Sequence, residues 1–160
     1  VLENMMFSAS TVNNDSFIKS LIRLPSQKTI EKNIKEKSFE IMKDLNIDHM
    51  ANSYARELSG GQKKLLELGR SIINDPGILL LDEPLAGVNP KLAEEILQII
   101  LNLSEKGISI LMVEHNIEAV MKISQRVIVL AEGMVIADDT PENVRTDEKV
   151  IEAYLGSDNE

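Results

Sequence analysis

The chain has 160 residues, 43 % hydrophobic and 27 % charged, with a formal net charge of −9. That is a globular composition, and one domain of this length can bury a sizeable core. The absence of cysteine excludes disulfides and thiolate metal sites, and two histidines leave little room for a histidine metal cage. No apolar run approaches the roughly 20 residues needed to span a bilayer. Val1-Leu2-Glu3-Asn4 lacks the basic region that opens a signal peptide. Residues 1–80 hold 11 basic and 10 acidic side chains, residues 81–160 hold 6 and 16. The basic residues are spread among acids rather than gathered on one face, so a nucleic-acid partner is not expected. The acidic second half reads as solubility.

Residues 8–16 (Ser-Ala-Ser-Thr-Val-Asn-Asn-Asp-Ser) are polar and predict a loop. From Lys28 to Leu45, Ile30, Ile34, Ile41 and Leu45 recur at near-helical spacing, with Phe39 and Met42 beside them and Pro25-Ser26 as the start. A second helix is expected from Ser59 to about Asn74, stopped by Asp75-Pro76-Gly77. The pattern then changes. Ile78-Leu79-Leu80-Leu81 is a continuous apolar run ending at Asp82-Glu83, which suits a parallel strand covered on both faces. Asn89-Pro90 supplies an N-cap and a first-turn proline for a helix through Leu92, Ile96, Leu97, Ile100 and Leu103, ended by Gly107. A strand from Ile108 to Val113, a helix from Asn116 to Ile123 and a third strand from Arg126 to Leu130 follow. Glu132-Gly133 turns the chain into Met134–Ala137, and Thr140-Pro141 and Thr146 start short final helices. Strand, helix, strand, helix, strand is an α/β layout with a parallel sheet.

Three clusters can carry chemistry. Ligands bind outside the carboxyl ends of strands in open parallel sheets, which is where Asp82 and Glu83 stand. One carboxylate there can hold Mg²⁺, and its neighbour can orient or deprotonate an attacking water. Taken alone, an apolar strand ending in an acid is common and reads equally as a helix cap or a solvated loop. Ser59-Gly60-Gly61-Gln62 opens a helix whose free N–H groups and dipole suit a phosphate, although Ser-Gly-Gly by itself is an ordinary capped helix. His115 ends the following strand and on neighbouring parallel strands would lie near Asp82 and Glu83, able to donate to a terminal phosphate. A lone histidine is more often structural or merely exposed, and His49 has no such context.

In this order the motifs resemble the ATP-binding-cassette (ABC) ATPases. Leu58-Ser59-Gly60-Gly61-Gln62 resembles the family signature, and Ile78 to Pro84 resembles its Walker B motif with the following catalytic Glu. Ala86-Gly87-Val88-Asn89-Pro90 resembles its D-loop, and His115 its switch histidine. The finer resemblance is to ATPases of branched-chain amino acid importers. It rests on Val1–Met6, on the long helical stretch up to Leu45, on Glu114–Ser124, and on Val150–Gly156. Lipopolysaccharide-export ATPases end similarly, and some family members work without transport.

The resemblance implies the C-terminal part of a P-loop NTPase core with parallel strands, plus an α-helical subdomain. It implies a helical signature subdomain over residues 1–71 and the rest of the nucleotide-binding core over 72–160. The cofactors implied are ATP and Mg²⁺. Ser59, Gly60, Gly61 and Gln62 would contact the ATP of a second ABC ATPase subunit. Asp82 would hold Mg²⁺ through water, Glu83 would be the general base, and His115 would sense the γ-phosphate. A transmembrane permease would dock on the helical subdomain, with Met5, Met6 and Phe7 either in that contact or in the core. A solute-binding protein would act indirectly, and the subunit would lie peripherally on the cytoplasmic face of the inner membrane. One departure stands out: no Gly-Lys pair occurs anywhere, so the Walker A loop is missing. With the start at Val1, the expectation is a fragment of a longer subunit, inactive alone, with a strand edge and apolar surface left bare.

Overall fold

The computed structural model describes residues 1–10 and 25–154. The chain divides into two units, Val1–Val113 and Glu114–Glu160.

The first unit opens with a helical cluster: α1 (Leu2–Ser10), α2 (Pro25–Asp44) and α3 (Gly60–Ile72). Two short 3₁₀ turns, Asp48–Met50 and Ala55–Glu57, join α2 to α3. The Val1 ammonium donates to the Ser53 carbonyl at 2.7 Å and the Leu2 amide to Ala51 at 3.1 Å, which pins the start of α1 to this connection. Met5, Met42, Leu45, Ile47 and Ile73 are almost completely buried, and Leu65, Leu66 and Leu68 of α3 join them. Burying side chains of this size removes roughly 1.5–3 kcal/mol each from water exposure, which is what holds the cluster.

The helical periodicity read in the sequence is only half used. Met42 and Leu45 are core, but Ile30 and Phe39 are exposed. A 9-residue α1 reaches about 13 Å, whereas the 20-residue α2 extends about 30 Å, so among the described residues only the last part of α2 meets a partner. Lys43 stands over the Phe39 ring at 5.6 Å and shields part of it. Of the expected loop at 8–16, Ser8, Ala9 and Ser10 are the last turn of α1, and the remainder lies outside the described residues.

The α/β part of this unit is β1 (Ile78–Asp82), α4 (Pro90–Glu105) and β2 (Ser109–Val113). The strands pair in parallel, Ile78 opposite Ser109 through Asp82 opposite Val113. Asn89 caps α4 by accepting from the Leu92 amide at 2.9 Å, with Pro90 at the first helical position. Ile96, Leu97, Ile100 and Leu103 form the buried stripe of α4, which packs on β2. On the sheet, Leu79, Leu81, Ile110 and Met112 share one face and are buried or half-buried. The other face is bare: Ile78 is 67 % exposed, Leu80 70 %, Leu111 57 % and Val113 60 %. The expectation of cover on both faces is therefore corrected, because α4 lies on one side and no other described element of this unit covers the second.

The second unit contains α5 (Ile117–Ile123), β3 (Val127–Ala131), β4 (Met134–Asp139), α6 (Pro141–Thr146) and α7 (Glu148–Tyr154). The expected third strand of the parallel sheet pairs instead with β4, antiparallel, in a sheet of its own. Glu132 and Gly133 both have positive φ (51° and 77°), which suits a two-residue turn of the type that matches strand twist and returns the chain antiparallel. Arg126 grips Asp138 across the hairpin through two hydrogen bonds of 2.7 Å. Those bonds hold the Asp138 carboxyl below its ordinary range.

Two core positions give a direct test of the cluster. A Cβ on Gly69 would stand 2.8 Å from Leu45 Cδ1 and 3.0 Å from Met5 Cε, and both neighbours are buried with nowhere to swing. Gly69→Ala is expected to cost about 1–3 kcal/mol. Ser38 on α2 is fully buried and its hydroxyl has no hydrogen-bond partner among the described residues. Ser38→Ala removes that desolvated hydroxyl and is expected to raise stability by up to about 1 kcal/mol. Urea denaturation of the two variants beside the parent reads both signs.

Candidate active site at the end of strand β1

The phosphate-type helix end is built by a capping box. The Gln62 amide donates to Ser59 Oγ at 3.3 Å, and the Ser59 amide donates back to Gln62 Oε1 at 2.9 Å. Both side chains thus fix the first turn of α3. The two glycines differ. A Cβ on Gly60 would meet nothing within 4 Å, so the chain itself has no steric need for glycine there. A Cβ on Gly61 would collide with the Leu92 side chain, so this glycine lets the start of α3 approach the first turn of α4. Close packing on Leu92 is a role for Gly61 that the sequence did not signal.

Asp82 is the last residue of β1, opposite Val113. Strand alternation puts it on the bare face with Ile78 and Leu80. The Glu83 amide extends the ladder one step further, donating to the Val113 carbonyl at 2.9 Å. Glu83 itself has φ 44°, a left-handed conformation. A side chain there costs roughly 1–2 kcal/mol, and a residue before proline ordinarily prefers extended backbone. The Glu83 carbonyl accepts from the Ala86 amide at 3.1 Å and from Lys64 Nζ at 3.2 Å. The strained backbone of Glu83 is thus held in place by hydrogen bonds on both of its peptide groups.

Among the described residues no cluster of three or more carboxylates and histidines could hold a metal. The acidic pair suits Mg²⁺ nevertheless, because that ion is held by one or two carboxylates with waters and substrate phosphates supplying the rest. His115 is the second residue of the second unit, two positions beyond Val113 in the chain. It is exposed, its amide donates to Glu114 Oε2 at 3.2 Å, and its Nδ1 lies 3.9 Å from the same oxygen. Neither of two clefts on the surface includes Asp82 or Glu83. One, about 510 Å³, lies on the helical cluster against Phe7, Ser8, Glu67, Arg70, Ser71 and Asn74. The other, in the second unit, is lined by α5 and α6. A site at an open strand end is not a pocket within one chain, and chemistry rather than concavity identifies it.

Residues 3–86 match the family model described as ABC transporter. The chain belongs to the ABC transporter family. Residues 134–160 match a second model, described as branched-chain amino acid ATP-binding cassette transporter. The probable branched-chain amino acid transport ATP-binding protein LivG of Archaeoglobus fulgidus is 43 % identical over 127 residues, covering 79 % of this chain and 49 % of that protein. The high-affinity branched-chain amino acid transport ATP-binding protein BraF of Pseudomonas aeruginosa is 35 % identical, covering 97 % and 61 %. The lipopolysaccharide export system ATP-binding protein LptB of Haemophilus influenzae is 36 % identical, covering 76 % and 51 %. The crystal structure of the ADP conformation of an ATP-binding cassette of an ABC transporter superposes with a TM-score of 0.74 at 34 % identity, covering 97 % of this chain and 62 % of that one. The α/β cassette fold expected from the motifs is thus present. The chain spans between about half and three-fifths of the length of the curated relatives it matches.

The two signature glycines should separate on mutation. Gly60→Ala is expected to change thermal stability by no more than about 0.5 kcal/mol, since the new methyl meets open space. Gly61→Ala should cost about 1 kcal/mol or more through crowding of Leu92. Adding Gly61→Ala to Leu92→Ala should cost less than Gly61→Ala alone, a coupling that a double-mutant cycle of thermal melts measures.

Proposed function

We propose that this chain is the C-terminal part of an ATP-hydrolysing subunit that energises a transporter, with branched-chain amino acid import as its role. The observation that carries the reading is the strand end. An acidic pair leaves β1 beside β2, and its second member is held in a left-handed conformation next to the signature-type helix. Branched-chain amino acid import is supported by the match over residues 134–160 and by the names of the LivG and BraF relatives. The 36 % identity to LptB favours a second reading, lipopolysaccharide export, and the permease that co-purifies with the subunit decides between them.

In the proposed mechanism Glu83 accepts a proton from a water as the water oxygen bonds to the γ-phosphorus. The bond from that phosphorus to the β–γ bridging oxygen breaks, and ADP leaves with the bonding pair. Asp82 would hold Mg²⁺, which when bound would supply charge neutralisation on the phosphates. His115 donates a hydrogen bond to the γ-phosphate. Ser59, Gly60, Gly61 and Gln62 serve the nucleotide of a second ABC ATPase subunit. Gly60 supports this assignment, because a Cβ there would meet open space and leave room for an outside group.

Residues 1–71 are assigned as the helical subdomain that receives the transmembrane permease, and 72–160 as the remainder of the nucleotide-binding core. Met5 is fully buried and belongs to the core, whereas Phe7 is 66 % exposed beside Arg70 at the cleft on the helical cluster and is the better candidate for the permease contact. A solute-binding protein acts only through that permease. No described helix is long and apolar enough to cross a membrane. The transport names of the LivG and BraF relatives support a peripheral place on the cytoplasmic face of the inner membrane, through its permease. The bare β1–β2 face and the share of each relative that the chain spans support its being part of a longer subunit.

Three measurements test this. The 160-residue chain alone should show no Mg²⁺-dependent ATP turnover in a phosphate-release assay, and turnover comparable to an intact subunit overturns the fragment reading. In the full-length subunit Glu83→Gln should lower turnover by about 10²–10⁴-fold while ATP still binds. Size-exclusion chromatography with Mg-ATP should then show a stable dimer, and normal turnover by this variant removes Glu83 from the mechanism. Ser59→Arg should abolish hydrolysis while leaving the ATP affinity of the monomer intact, and loss of that affinity contradicts a role toward the partner's nucleotide.

A further inference from the structure

The Lys64 ammonium reaches out of α3 and donates to the backbone carbonyl of Glu83 at 3.2 Å, across 19 residues of sequence. Its target is the residue whose backbone is strained, with φ 44°. The peptide groups on both sides of Glu83 are tied: the amide to Val113 at 2.9 Å, the carbonyl to Ala86 at 3.1 Å and to Lys64. The first two ties come from the sheet and from the turn that follows β1. Of the three, the last comes from α3, less than two turns beyond its Ser59 cap.

We infer that Lys64 is a positioning residue for Glu83: it fastens the Glu83 backbone to the signature-type helix, so that the direction of the Glu83 carboxylate depends on where that helix stands. The inference rests on the reading of Glu83 as general base. With the Glu83 amide held by Val113, rotation about its N–Cα bond carries the carbonyl carbon and Cβ together, so a hold on the carbonyl also limits where the carboxylate points. A hydrogen bond from a charged donor to that carbonyl resists the rotation and offsets part of the cost of the left-handed conformation. The Gly61 approach to Leu92 gives α3 a second point of attachment to the same α/β layer. A displacement of α3, such as a nucleotide at its N-terminus could impose, would therefore be felt at Glu83 within the same subunit. Lys64 need not touch nucleotide for this to hold.

The test is steady-state ATP hydrolysis by the full-length subunit with Lys64→Met, Lys64→Arg, Glu83→Gln and the double variant Lys64→Met/Glu83→Gln, each also followed by thermal melting. Misplacing a reacting group by about an ångström can cost on the order of 10²-fold in rate. Loss of one tie among three is expected to lower kcat about 10-fold, with KM for ATP and the melting temperature unchanged. Lys64→Arg keeps a charged donor and should restore most of the rate. In the Glu83→Gln background Lys64→Met should have no further effect, because residues that act as a unit are non-additive. Three outcomes overturn the positioning role while Glu83→Gln remains inactive: normal kcat in Lys64→Met, a fall in ATP affinity or melting temperature that accounts for the lost rate, or failure of Lys64→Arg to rescue. Normal turnover in Glu83→Gln removes the general-base reading itself, and the role of Lys64 with it.

Discussion

One hydrogen bond past the end of a ladder organises the site. The Glu83 amide donates to the Val113 carbonyl, one step beyond the last register pair of β1 and β2. That bond keeps Glu83 at the sheet while its left-handed φ turns the chain away towards Leu85. The two carboxylates therefore leave the same strand end from residues of different backbone conformation, Asp82 on the pleat and Glu83 off it. A strained residue persists only when its surroundings over-determine it, and three hydrogen bonds to the Glu83 backbone do so here. Each such bond contributes about 1 kcal/mol net, comparable to the cost of the conformation they hold.

The rest of the first unit follows from what that strand end needs. β1 and β2 bring Asp82 opposite Val113 only because α4 returns the chain to a parallel start, capped by Asn89 and closed at Gly107. α4 covers one face of the pair and leaves Ile78, Leu80, Leu111 and Val113 to solvent. Parallel sheets are ordinarily covered on both sides, and among the described residues of this unit the second face has no cover. The helical cluster is the better-packed part, with Met5, Met42, Leu45 and Ile73 close to fully buried. Local stability is thus uneven: a closed helical core supports α3, and α3 in turn holds a half-covered sheet through Gly61 and Lys64.

Much of this was legible in the sequence by itself. Ser59 and Asn89 are N-caps because their side chains accept the amides three residues on, and the spacing alone announces it. The apolar runs from Ile78 and from Ile108 are strands, and the acidic pair falls at the end of the first, because residue type and run length carry that information locally. Family membership followed from the order of Leu58–Gln62, Ile78–Pro84 and Ala86–Pro90, motifs that need no coordinates. Tertiary structure alone decided the remainder. The periodicity of α2 did not tell that Ile30 and Phe39 stay exposed, since burial depends on how far a neighbouring helix reaches. The turn at Glu132-Gly133 was legible, but an apolar third strand reads the same whether its partner is parallel or antiparallel, and only the structure showed it leaving the parallel sheet to pair with β4 alone. The use of Gly61 against Leu92, the left-handed backbone of Glu83 and the reach of Lys64 to it join residues 19 or more positions apart. Such contacts have no local signature, because side-chain type states what a residue can touch and only the fold brings the other group within reach.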